Sequence, residues 1–176
     1  ILARAKEEEN SCSVLEVQKC NIWDYPDGGL RNVDEDEVVK KIVAEIIDLQ
    51  PTTMVIFAED GFTGHWDPIM AHRWGRQAAI LAREVGWQGE LVAATMPDEM
   101  VIHVARSSRR KTVGVYCQEE FGDSGEVWSL CIERWFEKKL QAIGEYKTQY
   151  PRGYIEMFKE LPRGVATKEY FIKINI

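Results

Sequence analysis

The residues best suited to chemistry fall in two short stretches of this chain. One is Glu59-Asp60-Gly61-Phe62-Thr63-Gly64-His65-Trp66-Asp67, and the other is Asp24-Tyr25-Pro26-Asp27-Gly28. His65 is one of three histidines, and an imidazole titrates close enough to neutrality to hold or pass a proton. Asp27, Asp60 and Asp67 supply carboxylates that can take a proton, orient a neighbour or accept hydrogen bonds from a hydroxylated ligand. The glycines let the backbone turn tightly. Each feature also has a plain structural reading. Asp67 before Pro68 suits a helix N-cap with proline at the first helical position. Asp27 before Gly28 is what a turn asks for. Position and spacing leave both readings open.

A third set lies on a helix expected over about 131–147. Steps of about 100° per residue put Lys139 on the face of Ile132, Leu140 and Ile143, with Tyr146 at its edge. A lysine aimed at a core needs a partner or a cavity, unless its stem carries the ammonium back to water. Tyr146 reads as a packing aromatic with a wet hydroxyl. His72 falls nearly opposite the apolar stripe of its own helix, and His103 sits in an irregular basic stretch. Neither has a partner at metal-ligand spacing.

The elements that must position these residues follow one another in an α/β order. Residues 1–16 predict a helix of modest amphipathicity, and Val17 to Trp23 a short strand ending at Tyr25-Pro26-Asp27-Gly28-Gly29. Val38, Val39, Ile42, Val43, Ile46 and Ile47 then repeat at helical spacing, behind four carboxylates, Asp34 to Glu37, that suit a helix N-terminus. The apolar run 53–58 predicts a buried parallel strand, and a helix is expected from Pro68 to about Val85. Two further strands are expected at 90–94 and 112–117, and the alternating FIKINI at the C-terminus predicts an edge strand. Strand and helix in alternation imply a layered sheet with mostly parallel strands. In such sheets ligands bind beyond the strands' carboxyl ends, where both glycine-rich loops fall. No repeat or linker divides residues 1–176, so one domain is expected.

Composition narrows the function classes. The chain has 176 residues, 45% hydrophobic and 29% charged, which suits a folded domain with a sizeable core. A net charge of -7 argues against a nucleic-acid partner, and the basic run Arg106 to Lys111 reads as a solvated loop. No apolar run approaches the ~20 residues of a membrane span. The four cysteines, at 12, 20, 117 and 131, form no C-x-x-C pair and read as reduced thiols of a cytoplasmic protein. The chain opens on Ile1 inside a helix, and its true beginning is expected to lie upstream.

Residues 57–67, Phe-Ala-Glu-Asp-Gly-Phe-Thr-Gly-His-Trp-Asp, resemble the second motif of PIG-L/LmbE-like deacetylases, commonly F-x-x-D-G-x-T-G-H-P-D-H. Asp24 to Leu30 is similar to the family's D-Y-P-D-G-x-L segment. Lys139-Leu140, Ala142-Ile143 and Thr148-Gln149 resemble its late helix, and Arg4 with Glu7 or Glu8 fits the helix after its first motif. The resemblance implies a Rossmann-like three-layer sandwich with a mostly parallel central sheet, its first strand missing from this chain. It implies zinc-assisted removal of an N-acetyl group from an amino sugar or related amide, with Zn2+ polarising the carbonyl and activating water. His65 would assist as the family's catalytic histidine, with Asp67 as the motif's acid. Asp27, Asp60, Lys139, Tyr146 and Gln149 would line the substrate site.

Three departures from the family pattern bear on activity. Nothing here matches the family's opening H-P-D-D-E. Pro68 occupies the place of the second motif's final histidine, a metal ligand, and proline has no donor atom to offer. Tyr146 stands where the late helix has histidine. No residue is therefore assigned as a metal ligand, and activity is expected to be impaired. A non-catalytic, carbohydrate-binding or regulatory relative is the alternative. An unrelated nucleotide-binding protein would need a phosphate-cradling glycine motif, and none occurs. A missing first strand would also leave a sheet edge open and favour self-association.

Overall fold

The structure, a computed structural model, describes residues 2–61, 64–95, 127–150 and 153–176. The chain divides into two compact units. One comprises Tyr25–Ser129 with Glu169–Ile176, and the other Ile1–Asp24 with Leu130–Lys168.

The larger unit is built around two helices and a sheet. Helix α2, Glu35–Leu49, starts where Asp34 accepts a hydrogen bond from the Glu37 N–H, and three acidic residues occupy its first turn. It ends at Gln50 in the left-handed region. Strand β1, Thr53–Phe57, follows directly, and helix α3, Trp66–Glu84, packs across it. Gly75 of α3 makes this approach close, because a Cβ there would lie 2.7 Å from Ile56 Cγ2. The fully buried Ala78, Ala79 and Ala82 keep the same face of α3 narrow. Val38, Val39 and Ile46 of α2, with Trp74, Trp87 and Leu91, complete the core. Trp87 fixes a corner of it by donating its indole N–H to the Pro51 carbonyl at 2.8 Å.

The sheet runs in the order β1-β2-β4-β3, with β2 at Glu90–Thr95, β3 at Val127–Cys131 and β4 at Lys168–Lys173. β1 and β2 are parallel, joined through α3 as a crossover helix. β2 and β4 are antiparallel, Val92 facing Lys173 and Thr95 facing Tyr170. The α/β class is as expected; the mostly parallel sheet is not. The α3 crossover makes β1 and β2 parallel, whereas the C-terminal strand returns in the opposite sense. That strand is also no edge. It begins earlier than FIKINI and lies between β2 and β3, half-buried along its middle.

β1 differs from expectation in burial. Ile56 faces α3 and is buried, but Val55 and Phe57 on the other face are 55% and 42% exposed. A continuous apolar run marks a strand covered on both sides, and among the described residues only one side of β1 is covered.

The smaller unit pairs helix α1, Leu2–Val14, with helix α4, Phe136–Gly144, and adds the short helices α5, Gly153–Glu160, and α6, Arg163–Ala166. α4 is shorter than the predicted 131–147, because a 3-10 turn over Glu133–Trp135 precedes it. Leu140 and Ile132 are buried as expected, whereas Trp135 is 50% exposed. The strand expected at Val17 to Trp23 does not form. α1 ends in a reversal at Glu16, whose φ is 60°, and the following residues carry no strand pairing. The expected strand 112–117, the basic run 106–111 and His103 lie outside the described residues.

Candidate functional site

The loop after β1 is shaped by two glycines in the left-handed region. Gly61 has φ 62° and donates its N–H to the Ala58 carbonyl. A Cβ on it would meet Pro68 Cβ at 2.8 Å. Gly64, φ 70°, donates its N–H to the Asp60 carbonyl at 2.9 Å. The chain then enters α3 at His65, not at Asp67 as the Asp-Pro pair suggested. The His65 Nδ1 accepts the Asp67 N–H at 3.2 Å, making the imidazole itself the N-cap. Pro68 sits at the third helical position, where its missing N–H costs nothing because no intrahelical partner exists there.

Asp67 is thereby freed for another task. Its carboxylate accepts the Gly28 N–H at 2.6 Å and the Leu30 N–H at 3.2 Å. One side chain thus ties the Tyr25-Pro26-Asp27-Gly28-Gly29 turn to the start of α3, and sets Asp27 and Asp60 on neighbouring loops beyond the carboxyl end of β1. His65 is exposed there. Arg31 lies over the Trp66 ring at 4.5 Å, giving the same loops an exposed aromatic face. His72, about two turns into α3, donates its Nδ1–H to the Phe57 carbonyl at 2.7 Å. It therefore points toward the strand end and not simply to solvent.

Lys139, Tyr146 and Gln149 belong to the other unit. Lys139 places its ammonium 5.5 Å from the centre of the Phe158 ring, which gives the inward-leaning stem a partner. Tyr146 is no packing aromatic with a wet hydroxyl, because that hydroxyl donates to Glu8 Oε2 at 2.7 Å. Its pKa is pushed up to about 12, chiefly by burial, with the Glu8 carboxylate adding to the effect. Glu7 is buried and satisfied by Thr148, through the backbone N–H at 2.8 Å and the hydroxyl at 2.7 Å. Gln149 accepts a hydrogen bond from Arg4. The α1 residues Arg4, Glu7 and Glu8 thus converge on the turn after α4.

Sequence reasoning missed one cluster here. Glu8, Cys12 and Cys20 bring a carboxylate oxygen and two thiol sulfurs within 4.8 Å of one another. Glu8 and Cys12 are four residues apart on one helix, and that spacing was the available signal. Cys12 and Cys20 are separated by 8 in sequence, which no short cysteine motif covers. The Cys12 thiol is pushed up to about 11, first by its hydrogen bond to Cys20, then by burial and the neighbouring charges.

Residues 1–79 match the sequence profile of the GlcNAc-PI de-N-acetylase family, PIG-L. Over that stretch, less than half of its length, the chain is similar to the PIG-L/LmbE-like deacetylases. No curated protein matches its sequence significantly. Among solved structures it is similar to a triple mutant of a deacetylase involved in the teicoplanin biosynthetic pathway. The two share 16% identity over 98% of this chain and 70% of that one, with a TM-score of 0.60. That likeness carries the fold. The family is generally metal-dependent, yet the donors around His65 do not suit a zinc ion. Pro68 has no donor atom, both Asp67 oxygens are taken by backbone N–H groups, and His65 Nδ1 accepts the Asp67 N–H.

Proposed function

We propose that residues 1–176 form one deacetylase-like domain whose loop cluster at the end of β1 receives an N-acetylated amino sugar or a related amide, with hydrolysis impaired. The observation that carries this reading is the Asp67 clamp. It draws the two segments most like the family's motifs into one site-forming surface. Because His65 Nδ1 accepts the Asp67 N–H, the neutral imidazole carries its proton on the exposed Nε2. That N–H is a donor for the acetyl oxygen as charge develops on it. Asp27 and Asp60 would accept hydrogen bonds from sugar hydroxyls. Lys139, Tyr146 and Gln149 are proposed as substrate contacts on the family resemblance alone.

Impairment follows from Pro68, which withholds a donor where the family pattern has a metal ligand, and no catalytic step is assigned to zinc here. A non-catalytic carbohydrate-binding relative is the second reading, favoured by the same proline. The free thiols of Cys12, Cys20 and Cys131 fit a cytoplasmic setting. No helix among the described residues is long and apolar enough to cross a membrane, and the partner expected is a small molecule.

Acetate release from an N-acetylglucosamine conjugate, measured with and without added Zn2+, tests the reading together with ligand binding. Binding with release near background is the expected result. Turnover at ordinary enzymatic rates, lost on His65→Ala, would overturn the impairment. Absence of binding would overturn the substrate class.

A further inference from the structure

We infer that Glu8, Cys12 and Cys20 form a binding site for a thiophilic divalent cation, separate from the loop cluster that carries His65. Two thiolates and a carboxylate are a ligand set that zinc and cadmium favour, with a fourth position left to water. The backbone builds the site. Glu8 and Cys12 share one face of α1 at helical i, i+4 spacing, with Cys12 Sγ 3.9 Å from Glu8 Oε1. α1 then closes with paired bonds, Val17 N–H to Cys12 O and Glu16 N–H to Ser13 O, the geometry of a Schellman reversal. That reversal sends the chain back along the helix and lays Cys20 Sγ 2.7 Å from Cys12 Sγ.

Metal–sulfur bonds of ~2.3 Å at a tetrahedral centre separate two sulfurs by roughly 3.8 Å. Cys20 must therefore move outward by about an ångström to admit the ion, and its exposed position in an irregular segment permits that. The Cys12–Glu8 separation already fits. Tyr146 acts as a positioning residue, because its hydroxyl holds Glu8 Oε2 and leaves Oε1 turned to Cys12. Carboxylate ligands are commonly fixed by such a second hydrogen bond.

The full chain, reduced and freed of metal, is titrated with Cd2+ while the ultraviolet thiolate-to-metal charge-transfer band is followed. Co2+ then reports geometry through its visible bands. One equivalent with tetrahedral cobalt bands is expected. Cys12→Ser and Cys20→Ser should each abolish the band, and Tyr146→Phe should weaken binding by about 10–100-fold. Cys117→Ser and Cys131→Ser should leave it unchanged, and circular dichroism confirms that each variant is folded. A band that survives in the Cys12→Ser/Cys20→Ser double variant would overturn the site. So would a reduced chain that takes up no cadmium.

Discussion

Asp67 shows how far a residue's role depends on its neighbours. A carboxylate next to proline at a helix start has an obvious capping use, yet here the imidazole two residues earlier takes the cap and the carboxylate crosses to another loop. Two backbone N–H groups would lose their acceptor in Asp67→Ala, which should cost about 1–3 kcal/mol. Asp67→Asn keeps one acceptor and should cost less. Urea unfolding of both variants checks this, and equal losses would contradict the clamp. Tyr146 supplies a pH test. A pKa raised from 10.0 to about 12 means that the folded chain holds the proton more tightly. The associated stability is complete below about pH 10 and is lost as pH rises toward 12. Denaturation midpoints should fall over that interval, and Tyr146→Phe should flatten part of the fall. Identical alkaline profiles would show that burial and the Glu8 carboxylate do not hold the proton on that hydroxyl.

At the level of elements, helices were easier to read from sequence than strands. α2 announces itself through apolar spacing and an acidic first turn, both of which are local. α3 was legible in extent, but its first residues were not, since the cap depends on how Gly61 and Gly64 bend the preceding loop. Val17 to Trp23 has strand-forming composition, and a strand also needs a partner, which sequence pattern cannot supply. The direction of β4 is a similar case. Its alternation reveals one half-buried face but not which neighbour it pairs with or in which sense. The site divided along the same line. Asp27, Asp60, His65 and Asp67 lie on adjoining loops as motif order implied, while the Glu8–Cys12–Cys20 cluster depends on a helix reversal with no glycine to mark it. Glu16 holds a left-handed φ of 60° there, which a side chain tolerates at a cost of about 1 kcal/mol. Glu16→Gly should therefore stabilise the chain by about 0.5–1 kcal/mol, after the loss of an exposed ion pair with Lys138. A thermal melt that moves downward would contradict the reversal.

For the whole molecule, composition set the class and the family pattern set the expectation of a deacetylase fold, both in keeping with the structure. The sheet's mixed character and the face of β1 left uncovered among the described residues were not visible, because coverage is a property of the assembled layers. Among the described residues β1 ends the sheet and Val55 is exposed on it, a surface that invites another strand or chain. Val55→Lys should reduce self-association on size exclusion without lowering the melting temperature by more than a few degrees; unchanged association would place the sticky surface elsewhere.

Calorimetric titration of the full chain with an N-acetylglucosamine conjugate, set beside the same sugar carrying a free amine, bears most directly on the central claim. Saturable binding of the acetylated ligand, weakened about tenfold when His65→Ala removes a donor to the acetyl oxygen, is the result expected. Equal affinity for both sugars, or no heat from either, would contradict a loop cluster built around the acetyl group.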